Sequence, residues 1–170
     1  MNPADKPDLF LSVIESNKGI IYKIVNSYCK QPEDRKDLVQ EIMIQLWKSF
    51  EKYNDNYSHS TWIYRIALNV AISFYRKENT RQKIAQPLKE SILDFADINN
   101  AQEKEANFNT LQQFISGLKD LDKALMLLYL EEKSYKEIAG ITGITETNVA
   151  TKIARIKKLL RQNFDTINQQ

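Results

Sequence analysis

The stretch Ser134–Leu160, SYKEIAGITGITETNVATKIARIKKLL, constrains the chain more than any other, because it spells two short helices around a glycine corner. Ile138 and Ala139 close a first apolar face, Gly143 can supply the positive φ of a tight turn, and Ile144 plugs the corner. Thr145 is placed to cap the second helix, its hydroxyl accepting from an orphan backbone N–H. On a period of about 3.6 residues Val149, Ile153, Ile156 and Leu160 fall in one line. Thr147, Thr151, Arg155 and Lys158 fall opposite, with Asn148 beside them. Hydroxyls, an amide and fixed positive charge are the groups that read base edges and hold phosphates in a major groove. Ala139 and Gly143 are small enough to predict a close crossing of the two helices. A helix pair with an ordinary solvated basic face fits the same periodicity, so other stretches must decide.

The chain has 170 residues, 42% of them hydrophobic, with only four Gly and four Pro to interrupt recurrent apolar periods, which predicts an all-α protein. Its formal charge of +2 is small, but the distribution is uneven. Thr61–Lys83 carries a local +4, Leu88–Thr110 a local −3 and Lys133–Gln170 again +4. Two basic blocks around an acidic one suggest two nucleic-acid faces and a connector. The single cysteine, Cys29, excludes an internal disulfide, suits a reducing compartment and falls in an apolar helical pattern that predicts a buried thiol. Asp5, Lys6, Asp8 and Glu15 interrupt the N-terminus, so no signal peptide is expected. No run approaches the ~20 apolar residues of a membrane span, and a cytoplasmic location is expected. The sole histidine, His59, has no Cys or His near it and reads as a solvated loop residue; neither a metal nor a cofactor is expected. No phosphate-cradling glycine loop and no nucleophile–base pair is visible, so the sequence predicts neither an enzyme nor a small-molecule substrate.

Leu9–Ser16 and Ile20–Lys30 read as two helices broken near Gly19, followed by a polar turn at Gln31–Arg35. Asp37–Phe50 is one helix whose broad apolar half holds Leu38, Val39, Ile42, Met43, Leu46, Trp47 and Phe50. Asp37, Glu41 and Lys48 lie on the other half with Gln40 at its border and Ile44 among them. An isoleucine there fits a docking surface, or nothing more than one ordinary exposed apolar residue. After the polar loop Glu51–Ser60, the helix Thr61–Lys77 turns Ile63, Ile66, Ala67, Val70 and Phe74 inward. Trp62, Arg65, Asn69, Ile72, Ser73 and Arg76 form another face. Arginines interleaved with an aromatic suit unpaired bases, and equally a helix packed on two sides. Glu78–Asn107 loses periodicity and reads as a flexible acidic linker with a short apolar patch at Ile92, Leu93, Phe95 and Ile98. From Phe108 one helical face, Phe114, Leu118, Leu121, Leu125 and Leu128, feeds into the helix-turn-helix. The prediction is two small helical domains, 1–83 and 110–170, tethered by residues 84–109.

Together these pieces resemble a sigma factor of bacterial RNA polymerase of the compact extracytoplasmic-function type. DLVQEIMIQLW at Asp37–Trp47 is similar to the family's polymerase-clamp-binding helix. TWIYRIALNVAISFYRK at Thr61–Lys77 is similar to the segment that melts and reads the −10 promoter element, and Ser134–Leu160 to the −35-reading domain. The resemblance implies that Asp37, Gln40, Glu41 and Ile44 dock core RNA polymerase. It implies that the loop Tyr53–Ser60, with Tyr57 and Ser58, pockets a flipped base, and that Trp62, Arg65, Asn69, Ser73 and Arg76 hold the melted strand. Thr147, Asn148, Thr151, Lys152, Arg155 and Lys158 would contact the −35 duplex. The implied partners are core polymerase, promoter DNA and an anti-sigma factor. Three departures from the family pattern stand out: Ala150 where a basic residue is common, Asp122 where a proline is common, and Glu132–Lys133 where a Gly-bearing turn is common. A free-standing helix-turn-helix regulator is the alternative, and an anti-sigma-controlled interaction protein with a vestigial DNA face a third reading.

Overall fold

The computed structural model describes residues 5–85 and 103–169, and among these every regular element is an α-helix. Helices α1 (Lys6–Tyr28), α2 (Pro32–Phe50) and α3 (His59–Ala85) form an N-terminal unit. Helices α4 (Glu103–Gly117), α5 (Asp120–Leu130), α6 (Tyr135–Thr142) and α7 (Glu146–Asn168) form a C-terminal one. The linker patch at Ile92, Leu93, Phe95 and Ile98 lies outside the described residues.

Proline in the first turn and acids beside it start α1 and α2: the missing N–H costs nothing there, and Asp8, Glu33 and Asp34 face the positive helix end. Helix α1 runs unbroken through Gly19, and α2 begins at Pro32 inside the expected turn. The reason for the first correction is phase. Phe10, Val13, Ile14, Ile21, Ile24, Val25 and Tyr28 are all buried and keep one helical register across the glycine, so packing overrides a propensity cost of about 1 kcal/mol. The turn between α1 and α2 is clamped by Arg35, whose Nε donates to the Cys29 carbonyl at 2.9 Å. Cys29 is buried, and that burial raises its thiol pKa to about 11.

Leu38, Ile42, Leu46 and Phe50 of α2 are buried as expected, while Trp47 is left 40% exposed beside Phe10. In α3 the buried line is Ile63, Tyr64, Ala67, Leu68 and Ala71; Ile66, Val70 and Phe74, expected inside, are only half-buried. Helix α3 packs on α1 and α2 with one side and on α5 and α6 with another, which rotates its core line toward the second contact. The apolar face expected to run on from Phe108 is likewise divided. Helix α4 ends at Gly117, and Asp120, with φ of 40°, starts α5.

The two units share a continuous apolar cluster, and polar contacts join them beside it. Lys123 of α5, 2% exposed, reaches across to donate to the Ser27 carbonyl at 3.0 Å. The Tyr28 hydroxyl donates to the Asp120 carbonyl at 2.9 Å, Lys23 pairs with Glu131 at 2.5 Å, and Arg76 pairs with Asp120 at 3.0 Å. Surface pairs of this kind contribute about 0–1 kcal/mol each.

Two backbone positions test the local logic. Gly143 has φ of 80° and nothing within 4 Å of an added Cβ, so its glycine is needed for conformation and not for the close crossing expected from its size. Glu132, in the turn where the family pattern commonly has a glycine, takes φ of 58° with a full side chain. Gly143→Ala should therefore lower stability by about 1–2 kcal/mol, and Glu132→Gly should raise it by up to about 1 kcal/mol, in urea unfolding.

Candidate nucleic-acid interface

The helix-turn-helix is built by its caps. Ser134 Oγ accepts from the Glu137 N–H at 3.2 Å while Glu137 Oε2 accepts from the Ser134 N–H at 2.8 Å, a reciprocal pair that fixes the start of α6. Gly143 ends α6 in the left-handed region, donating its N–H to the Ala139 carbonyl at 2.9 Å. Thr145 Oγ1 accepts from the Asn148 N–H at 3.2 Å and starts α7. Val149, Ile153 and Ile156 anchor α7 with no exposed surface, which holds the opposite face outward.

On that face Thr147, Asn148, Thr151, Arg155 and Lys158 are exposed and Lys152 half-buried, so the six expected −35 residues stand on one helix surface. Thr151 Oγ1 donates to the Thr147 carbonyl, leaving its lone pairs outward. Arg155 is not free: its Nη2 pairs with Asp122 Oδ2 at 2.6 Å. The Asp122 N–H also donates to the Lys119 carbonyl at 3.0 Å, a bond no proline could make. Lys157, by contrast, is drawn back onto Tyr129, donating to its hydroxyl at 3.2 Å.

The expected −10 set is strung along one side of α3 and its loop, and its members have different neighbours there. Tyr57 is half exposed, and the Arg65 guanidinium lies 5.3 Å from its ring centroid. Ser58 caps α3, its Oγ accepting from the Thr61 N–H at 3.2 Å. Trp62 is half-buried against Tyr53 and Phe50, with centroids 5.3 and 5.9 Å away. His59 is stacked on Tyr53 at 4.8 Å and is not the freely solvated loop residue expected. Tyr53 also donates through its hydroxyl to the Tyr57 carbonyl, which shapes the loop. Tyr53 and His59 are thus members of an aromatic platform whose only sequence signal was their shared loop.

Asn69 and Ser73 lie about two and three turns beyond Trp62 on the same side of α3. They line a groove of about 760 Å³ between α2 and α3, with Asp37, Gln40, Glu41 and Ile44 on its opposite bank. Ile66, Val70 and Phe74 are also in its lining, which explains why the expected buried stripe stays partly open. Ile44 is 46% exposed there, an apolar centre inside a polar rim. Lys77 and Arg81 extend the α3 bank, and the sequence marks them only as members of a basic block. Arg76 leaves both groups and meets Asp120.

Among the described residues no helix is long and apolar enough to cross a membrane.

The Glu137 carboxyl is held below its ordinary pKa of 4.5 by its bonds to Ser134. A depressed folded-state pKa stabilises above the unfolded value and is lost as pH falls through the folded one. Acidification below about pH 4.5 should therefore lower the melting temperature, and Glu137→Gln should flatten that part of the profile in pH-scanned thermal melts.

Residues 13–81 match the family Sigma-70 region 2, and residues 108–160 match Sigma-70, region 4. The RNA polymerase sigma factor SigV of Bacillus subtilis (strain 168) is 28% identical over 154 residues, covering 90% of this chain and 89% of that protein. The ECF RNA polymerase sigma factor SigW of the same organism is 27% identical, covering 92% and 89%. A solved structure of CnrH in complex with the cytosolic domain of CnrY shares the fold at a TM-score of 0.67 and 16% identity, covering 96% of this chain and 92% of that one. The sigma factor RpoE of Bartonella quintana, solved with the anti-sigma factor NepR, does so at 0.66 and 16%, covering 95% and 97%. Two ordered sigma-70 regions that span most of the chain, carried on the fold just described, make it a member of the sigma-70 family of RNA polymerase sigma factors, of the extracytoplasmic-function type.

Proposed function

We propose that this sigma factor docks core RNA polymerase through the α2 bank of Asp37, Gln40, Glu41 and Ile44, and reads promoter DNA with two separate surfaces. One is the exposed face of α7, where Thr147, Asn148, Thr151, Lys152, Arg155 and Lys158 contact the −35 duplex. The other is the start of α3 with its loop, where Tyr57 and Arg65, backed by Tyr53, His59 and Trp62, receive unpaired −10 bases. The observation that carries this reading is the outward face of α7: its cap, its turn and its buried anchors all fix hydroxyls, an amide and cations on one solvent side. Ser58 serves there as a helix cap, and Asn69 and Ser73 act at the groove edge beside the docking bank.

Each surface alone binds DNA weakly, and a polymerase that fixes their separation makes two weak contacts act as one. Stacking of unpaired bases on aromatic rings, at about 1–3 kcal/mol per base, offsets the unstacking that melting requires. The protein acts as a specificity subunit, without catalytic chemistry of its own, in the cytoplasm. The solved relatives include one held by an anti-sigma factor, which supports a similar partner here.

Runoff transcription with bacterial core polymerase on random promoter fragments tests the reading. Enriched start sites preceded by two fixed elements are expected. Tight promoter binding by the chain alone, with no stimulation of polymerase, would move the assignment to a free-standing regulator. Asp37→Ala combined with Glu41→Ala should abolish core binding in a folded chain, measured by co-elution and circular dichroism. Arg155→Ala should cost about 1–3 kcal/mol and relax the −35 preference; an unchanged promoter ranking would remove Arg155 from base reading.

A further inference from the structure

Three cations stand on the outward face of α7, and among the described residues only Arg155 has an acid partner. Its Nη2 lies 2.6 Å from Asp122 Oδ2, while Lys152 and Lys158 enter no ion pair there. The pair joins α5 to α7 inside the C-terminal unit, so it does not depend on the contact between the units. A fixed negative charge thus sits at the edge of the surface assigned to a polyanion.

Asp122 does not need the arginine to remain a carboxylate. It belongs to the first turn of α5, where the positive end of the helix favours an acid, and 26% of its side chain is exposed to water. Its N–H is bonded to the Lys119 carbonyl whether or not Arg155 is present. The Arg155 side chain is 55% exposed and can swing toward solvent. The pair is therefore exchangeable, and the balance of charges decides its effect. A guanidinium gains by neutralising a phosphate or meeting a base edge. Here it must first leave a carboxylate, which then stands unneutralised beside the duplex. That loss is the same for every sequence, because the pair is broken before any base is distinguished.

We propose that Asp122 is a built-in competitor for DNA, which occupies Arg155 in the free chain and sets how tightly α7 binds a duplex without setting which duplex it prefers. The proposal rests on the −35 reading of Arg155. Its consequence is that α7 alone is held to weak binding, and promoter engagement leans on the second surface and on the polymerase that joins the two.

The test measures binding of the full-length chain, alone and with core polymerase, to a promoter fragment enriched by runoff selection and to a scrambled duplex of the same length, across a potassium chloride series. Asp122→Asn keeps the shape and the backbone bond and removes the charge. It should tighten binding to both duplexes by a similar factor, up to about fivefold at low salt for an exposed pair. The log–log salt slope should steepen by about one, since one more uncompensated cation meets a phosphate, and the promoter ranking should stay as it was. In an Arg155→Ala background the same substitution should have no effect. Asp122→Ser serves where circular dichroism shows that Asp122→Asn misfolds. Unchanged affinity and slope, weaker binding, or a gain that persists without Arg155 would each overturn the competitor. If Arg155→Ala weakens binding while Asp122→Asn changes nothing, the −35 reading stands and the competitor alone fails; if Arg155→Ala changes nothing, the reading of Arg155 fails and the competitor with it.

Discussion

Helix α3 is packed on two sides, and that constraint decides where function can be placed. Ala67 and Ala71, with no exposed surface, lie in its buried line, while Tyr64 and Leu68 are buried beside them where α5 and α6 also pack. In the part so packed, two places remain open: the first turn, which meets the loop, and the edge that borders α2. The expected single-strand face therefore divides into an aromatic platform at the start of the helix and a groove edge further along. Arg76, beyond both, is left to the acidic start of α5.

The helix-turn-helix shows the opposite economy, since almost every polar side chain near its corner has a backbone task. Ser134 and Glu137 satisfy each other's N–H groups, Gly143 supplies the one left-handed residue, and Thr145 satisfies the N–H of Asn148. These bonds fix the start of α7 against its own core, so that its outer face is preorganised before any DNA arrives. Preorganisation of this kind lowers the ordering cost of binding.

How much of this was legible in the sequence depends on the signal used. The helix-turn-helix could be read in detail because its information is local: a cap, a left-handed corner and a second cap, each tied to one residue type. The α2 face was equally plain, since Asp37, Gln40, Glu41 and Ile44 are exposed where the period puts them. Glycine misled in both directions. Gly19 sits inside an unbroken α1, where the apolar register on either side was already continuous, whereas the register through Leu118 and Leu121 is just as regular and spans a real break after Gly117. Periodicity records which face is apolar, not whether the backbone bends between two turns that share it. The rotation of the α3 core and the pairing of Arg76 and Arg155 with acids far along the chain could not be read at all, because both depend on tertiary neighbours.

Those distant pairs explain a feature of the charge pattern. Each of the basic blocks around Thr61–Lys83 and Lys133–Gln170 carries a local +4, and bringing them together in a closed chain is unfavourable without intervening negative charge. Asp120 and Asp122 at the start of α5 supply it, each meeting one arginine of those blocks across a short bond, while Glu131 at the other end meets Lys23 of α1. The arginines in these pairs remain mostly exposed, 63% for Arg76 and 55% for Arg155, so the pairs are screened and individually weak. On promoter DNA the phosphates provide the same sign of charge at far higher density. Under the proposed −35 reading, Arg155 would exchange the Asp122 carboxylate for a phosphate at small cost, and Asp122 would be a competitor that the duplex must displace.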